Sequence, residues 1–69
     1  MVGGGPMIFK HPNWGNTKHY SVAHNGIGGY TIREFVNGSK KTELAITRDE
    51  KIAFEKKLKE GGWNEQLRS

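Results

Sequence analysis

Three histidines, three serines and a glycine-rich run are the residues of this chain whose types first suggest chemistry. His11, His19 and His24 raise a metal hypothesis, but their spacings fit no pair of ligands on one helical face. No cysteine accompanies them, and on an extended strand His19 and His24 point to opposite sides. They read as solvent-facing polar residues. Ser21, Ser39 and Ser69 lie in no nucleophile elbow and beside no recognisable base. Carboxylates gather instead between Asp49 and Glu60, in a segment with helix-start and lysine-pairing patterns, such as Glu55 with Lys59. Gly26-Ile27-Gly28-Gly29 resembles a phosphate loop in composition only. It joins two strand-like runs, whereas a phosphate cradle needs a helix N-terminus directly after it. The chain is therefore read as a non-enzyme that needs no cofactor and no metal.

Charge is the stronger signal. Eleven Lys and Arg stand against seven Asp and Glu, a formal net charge of +4 in 69 residues, with a pI near 9.6. Such an excess on a small domain favours a polyanionic partner, although it also suits plain solubility. Hydrophobic residues make up 33% of the chain, so a single small core is expected. With no cysteine to form disulfides or the common zinc frameworks, stability must come from packing or self-association. The lack of cysteine also fits a reducing cytoplasm, the expected location. No segment approaches the roughly 18 apolar residues of a membrane span, and the N-terminus lacks a signal-peptide core.

The elements that would position a binding surface follow from turn signals. Residues 1–6, with three consecutive glycines and Pro6, read as a flexible leader of the kind cloning leaves behind, with Met7 as a candidate start. Residues 7–69 then form one small domain. Met7 to Lys10 suits a short edge strand, and Pro12-Asn13-Trp14-Gly15 suits a type I turn. Asn25-Gly26 and Asn37-Gly38 separate three runs of period-two alternation: Lys18 to His24, Tyr30 to Val36 and Thr42 to Thr47. Tyr20, Val22, Tyr30, Ile32, Val36, Leu44 and Ile46 fall on one side of these runs.

Parity decides the connections. A two-residue turn at Asn37-Gly38 would put the apolar sets of its two strands on opposite faces. A three-residue loop including Ser39 sets Ile32 against Leu44, Tyr30 against Ile46, and Arg33 against Glu43 as an ion pair. The first hairpin likewise needs an odd-length loop within Asn25 to Gly29, and its three-residue version places Lys18 opposite Glu34. A helix starts at Thr47, whose hydroxyl and Glu50 form a capping box, with Asp49 near the positive end of the dipole. Lys56, Lys57 and Lys59 occupy its last turns, and Gly61 is the expected left-handed stop. Phe54 and Leu58 should pack on Tyr20, Ile32 and Leu44, with Trp63 folding back. Ile52 lies well round the helix from this stripe. The fold class is α+β: three or four antiparallel strands with one C-terminal helix packed on one face.

That arrangement leaves the other face of the sheet open. It carries Thr17, His19, Ser21 and Ala23, then Thr31, Arg33 and Phe35, then Lys41, Glu43, Ala45 and Thr47. Small and hydroxyl-bearing side chains around one Arg and one aromatic suit base contacts by a sheet ribbon in a DNA major groove. Lys18, Lys40, Lys41 and Arg48 around the rim would reach phosphates. The candidate nucleic-acid-binding residues are therefore Arg33, Thr31, Phe35, Lys41, Lys40, Lys18, His19 and Arg48, with DNA favoured over RNA. A plain solvated face, with Arg33 neutralised by Glu43, is the competing reading.

Two resemblances bear on this surface. Thr47-Arg48-Asp49-Glu50-Lys51-Ile52-Ala53-Phe54-Glu55-Lys56-Lys57-Leu58 resembles the helix entry of the N-terminal arm-binding domains of tyrosine integrases. Gly29-Tyr30-Thr31-Ile32-Arg33-Glu34-Phe35-Val36-Asn37-Gly38 is similar to their central strand and turn. The likeness implies three strands leading into a helix, a sheet face set in the major groove, and contacts from Arg33, Thr31 and Lys41. The chain departs from that pattern where Glu50 and Lys51 stand in place of the family's usual Ala, and a free-standing version is implied. Tyr20-Ser21-Val22, Tyr30-Thr31-Ile32-Arg33-Glu34-Phe35 and Leu44-Ala45-Ile46-Thr47 fall in the order found in the single-strand-binding transcriptional coactivator family, which is dimeric. That likeness implies bases stacked on Phe35 or Trp14. The expected function is a small nucleic-acid-binding accessory or regulatory factor. The rival is a protein-interaction module, an inhibitor or adaptor of phage or mobile-element origin, using an edge strand or Trp14 and Trp63. A homodimer built by edge pairing is the third possibility.

Overall fold

Residues 6–26 and 28–66 are described by a computed structural model. Strands β1 (Met7–Lys10), β2 (Lys18–His24), β3 (Tyr30–Val36) and β4 (Ser39–Ile46) lead into helix α1 (Arg48–Glu60), and strand β5 (Asn64–Gln66) follows. All pairings are antiparallel, and the five strands form one sheet in the order β4-β3-β2-β1-β5. The α+β class and the placement of the helix agree with the sequence, while the sheet has one strand more than the three or four expected. Apart from Pro6, the expected leader lies outside the described residues, and so do Ile27 and residues 67–69.

The second hairpin corrects the expected loop yet keeps the expected register. Asn37 and Gly38 have φ of 53° and 83°, the paired positive angles of a type I′ turn, which Asn-Gly favours. Ser39 therefore already pairs with Val36 and belongs to the strand. The additional residue appears one step later as a bulge, where Lys40 and Lys41 stand opposite Phe35 before Thr42 pairs with Glu34. Beyond the bulge Arg33 faces Glu43, Ile32 faces Leu44 and Tyr30 faces Ile46. Parity required one more residue, and the turn chemistry decided where it went. In the first hairpin His24 pairs with Tyr30, so the odd-length connection spans five residues, Asn25–Gly29. Lys18 lies opposite Val36 rather than Glu34, and reaches Glu34 diagonally at 3.1 Å.

Opposite residues share a face, which gives the helix side the rows Met7-Val22-Ile32-Leu44 and Phe9-Tyr20-Glu34-Thr42. Phe9, Val22, Ile32 and Leu58 form the buried core, with Met7, Tyr20, Tyr30, Ile46, Phe54 and Trp63 packed around it. Phe54 meets Tyr20 edge to face at 5.6 Å. Leu44, however, is 61% exposed, against the expected packing under α1. A helix is about 10 Å across and strands are about 4.8 Å apart, so one helix covers two or three strands. The stretch of β4 that carries Leu44 lies beyond its reach, and only Ile46 at the end of the strand meets the core. Ile52 is exposed as its position round the helix implied. β1, expected at an edge, lies between β2 and β5 with Phe9 fully buried.

The capping box is present: Glu50 N–H donates to Thr47 Oγ1 at 3.2 Å, and Thr47 N–H to Glu50 Oε1 at 2.9 Å. Glu55 pairs with Lys51 at 3.3 Å, one turn before the expected Lys59, and the Lys51 ammonium sits 5.0 Å from the Tyr30 ring centre. The helix stop is one residue later than expected. Gly61 has φ −86°, and the left-handed residue is Gly62 at φ +93°. Trp63 N–H donates to Leu58 carbonyl at 2.9 Å and Gly62 N–H to Lys59 carbonyl at 3.1 Å, the Schellman pattern, which directs Trp63 back onto the core.

His11 locks this corner. Its Nδ1 accepts from Asn13 N–H at 3.0 Å, so its Nε2–H donates to Gly61 carbonyl at 3.0 Å. A Cβ on Gly62 would come within 2.8 Å of that Nε2. Gly62→Ala should therefore cost about 1–2 kcal/mol for the left-handed angle alone, with further loss from the displaced imidazole. Gly15→Ala, also left-handed at φ +55° but with open space around its Cβ, should cost less in urea unfolding. Equal losses would remove the role given to His11.

Candidate nucleic-acid interface

The face turned away from α1 is built from the alternate residues of the same strands. Its rows are Ile8-Ser21-Arg33-Glu43 and Lys10-His19-Phe35-Lys40, with Ala23-Thr31-Ala45 beside them. Asn64 and Gln66 extend the first two rows through β5. Thr31, Arg33 and Phe35 thus lie on the open side, as strand parity required.

His19 and Phe35 stack with ring centres 4.8 Å apart and planes 9° from parallel. Partial burial, then the neighbouring Lys10 charge, hold the His19 imidazolium below the ordinary histidine range. The Lys10 ammonium donates to Asn16 Oδ1 at 3.2 Å. Arg33 Nε lies 3.5 Å from Glu43 Oε1, the ion pair the register implied, and Lys40 also bonds Glu43. The Lys40 ammonium first, with Arg33 behind it, keeps the Glu43 carboxyl below the usual carboxylate range. Ser21, between Ile8 and Arg33, is only 5% exposed. Its larger neighbours cover it, so the serine cannot reach a ligand.

The rows place Lys10, Arg33 and Lys40 on one face with Glu43 as its sole carboxylate among the described strand residues. Of the sequence-derived candidates, the structure brings together His19, Thr31, Arg33, Phe35 and Lys40, and Lys41 is exposed at the bulge beside them. Two it does not. Lys18 lies on the helix side, bonded to Glu34. Arg48 opens α1 beyond the far end of β4, about 20 Å along the strand from Lys40. Thr17 precedes β2 and Thr47 caps α1, so neither belongs to the face. Lys10, Asn64 and Gln66 were missed. The alternation of Met7-Ile8-Phe9-Lys10 could have placed Lys10, whereas three polar residues after a helix stop carry no strand signal.

Protonation of His19 gives this face a pH dependence. Because its folded value is lowered, the unfolded chain binds the proton more readily below about pH 6.5. The stability contribution is complete above that pH and is lost as the pH falls through the folded value. Were this face to bind a polyanion, the dependence would run the other way, since protonated His19 adds a cation to the face. Affinity for an oligonucleotide should rise as the pH falls below about 6.5, and His19→Gln should flatten that rise while His24→Gln leaves it. Anisotropy titrations across this range distinguish the two variants.

No helix among the described residues is long and apolar enough to cross a membrane. The chain matches no protein-family model, no curated protein and no solved structure.

Proposed function

We propose that this chain is a small, non-enzymatic accessory or regulatory protein that binds single-stranded nucleic acid, DNA in the first place, across the open face of its sheet. The observation that carries this reading is the parallel His19–Phe35 stack in the row that also holds Lys10 and Lys40. Flat rings bordered by cations are what base stacking and backbone tracking use. The width of the sheet argues against the alternative of a ribbon in a major groove. Five strands at about 4.8 Å span about 20 Å, and the groove is about 12 Å wide. This favours the single-strand-binding likeness over the integrase one.

Anisotropy of labelled single-stranded and duplex oligonucleotides tests it. Three or four phosphate contacts, from Lys10, Arg33, Lys40 and Lys41, should give a slope of log affinity against log salt of about −2 to −3 for the single strand. Duplex should bind more weakly. No salt dependence, or a preference for duplex, would overturn the proposal. The rival, a protein-interaction module, draws on the exposed β4 edge and Leu44. That edge carries a bulge and two lysines, features that discourage strand addition and edge-paired dimers alike.

A further inference from the structure

On the opposite side of the sheet, Lys18 points into a group of rings. Its Nζ lies 5.0 Å from the ring centre of Trp14, 5.6 Å from Tyr20 and 5.9 Å from Trp63. Glu34 Oε2 completes the enclosure at 3.1 Å and accepts from the Tyr20 hydroxyl at 3.3 Å. Tyr20 and Trp63 stand edge to face at 5.0 Å. Three aromatic faces and one carboxylate around an ammonium are the components of an aromatic cage, which takes organic cations through the ring quadrupoles.

Two features go beyond an internal staple. A groove of about 360 Å³ opens beside the cage, lined by Tyr20, Phe54, Lys57, Leu58, Gly61 and Trp63, so it shares two of the cage rings. The outer wall, Trp14, is 46% exposed and stands outside the strands, in the turn between β1 and β2. We propose that Trp14, Tyr20, Trp63 and Glu34 form a binding site for a methylated ammonium group, occupied in the free protein by Lys18 as an internal competitor. The negative Glu34 and the ring faces select a cation. Methylation removes N–H donors that need water, so a methylated ammonium gives up less hydration than Lys18 does on entering the cage. The neighbouring groove accommodates the apolar remainder of the ligand. This site is separate from the open sheet face and does not depend on what that face binds.

Tetramethylammonium chloride is the probe. Titrated into Lys18→Ala, it should change tryptophan fluorescence saturably, while sodium chloride at equal ionic strength does not. The unaltered protein should bind measurably more weakly, because the tethered Lys18 ammonium must be displaced before the probe can enter. Adding Trp14→Ala or Glu34→Gln to Lys18→Ala should abolish the response. In the unaltered protein, ring currents should shift the Lys18 ε-methylene protons upfield, a readout that needs no substitution. Excess probe should return them toward the position of free lysine. A response of Lys18→Ala no different from that to sodium chloride would overturn the proposal. So would Lys18 methylene protons that start at the free-lysine position.

Discussion

Phe9→Ala should remove between about a third and all of the domain's stability at 25 °C. Phe9 is the fully buried side chain at the centre of the core, on a strand flanked by β2 and β5. Truncating a buried Phe costs about 3–5 kcal/mol. A 69-residue chain at 0.05–0.15 kcal/mol per residue has about 3–10 kcal/mol in all. The substitution therefore removes about a third of the margin or more, up to the whole of it. Leu44→Ala, at the uncovered edge, should stay within about 0.5 kcal/mol. Urea unfolding followed by tryptophan fluorescence makes the comparison. A cooperative Phe9→Ala transition shifted no further than that of Leu44→Ala would show that β1 is dispensable.

The second large effect concerns binding. On the proposed function, Phe35→Ala should remove a stacking platform worth about 1–3 kcal/mol per base, a loss of roughly 5- to 150-fold in affinity at about 1.4 kcal/mol per tenfold. Arg33→Ala should weaken binding several-fold and make the salt slope shallower by about 0.7. Lys57→Ala, on the helix side, should do neither. Glu43→Gln gives the opposite sign. Glu43 neutralises both Arg33 and Lys40, so its amide should free two cations and tighten binding. That result would separate a masked binding face from a merely solvated one, since a face that binds nothing gains nothing. Equal effects of Arg33→Ala and Lys57→Ala would assign the interaction to net charge alone.

Much of the frame was legible in the residues because it rests on local rules. The capping box needs only Thr47 and Glu50 at the right spacing, and both bonds form. The facing of Ile32 with Leu44 followed from parity, whatever loop supplied the odd residue. The parts that misled depended on distant partners. Gly61 and Gly62 are adjacent candidates for the helix stop, and only the His11 contact and the Trp63 bond to Leu58 distinguish them. β5 is made a strand by the free edge of β1, with which it pairs. Nothing in Asn64-Glu65-Gln66 itself requires it. Lys18 looked like a rim cation because its position in β2 gives its face but not its company. Trp14 and Trp63, far apart in the chain, converge on it only once the turn after β1 and the helix stop are both in place.

The most direct test of the central claim is an amide NMR titration with a short single-stranded oligonucleotide. The surface assignment predicts perturbations concentrated at Lys10, His19, Thr31, Arg33, Phe35 and Lys40, fading with added salt, while α1 and the Lys18 cage stay still. Perturbations centred on α1, Phe54 and Trp63, with the His19–Phe35 stack unmoved, would contradict it.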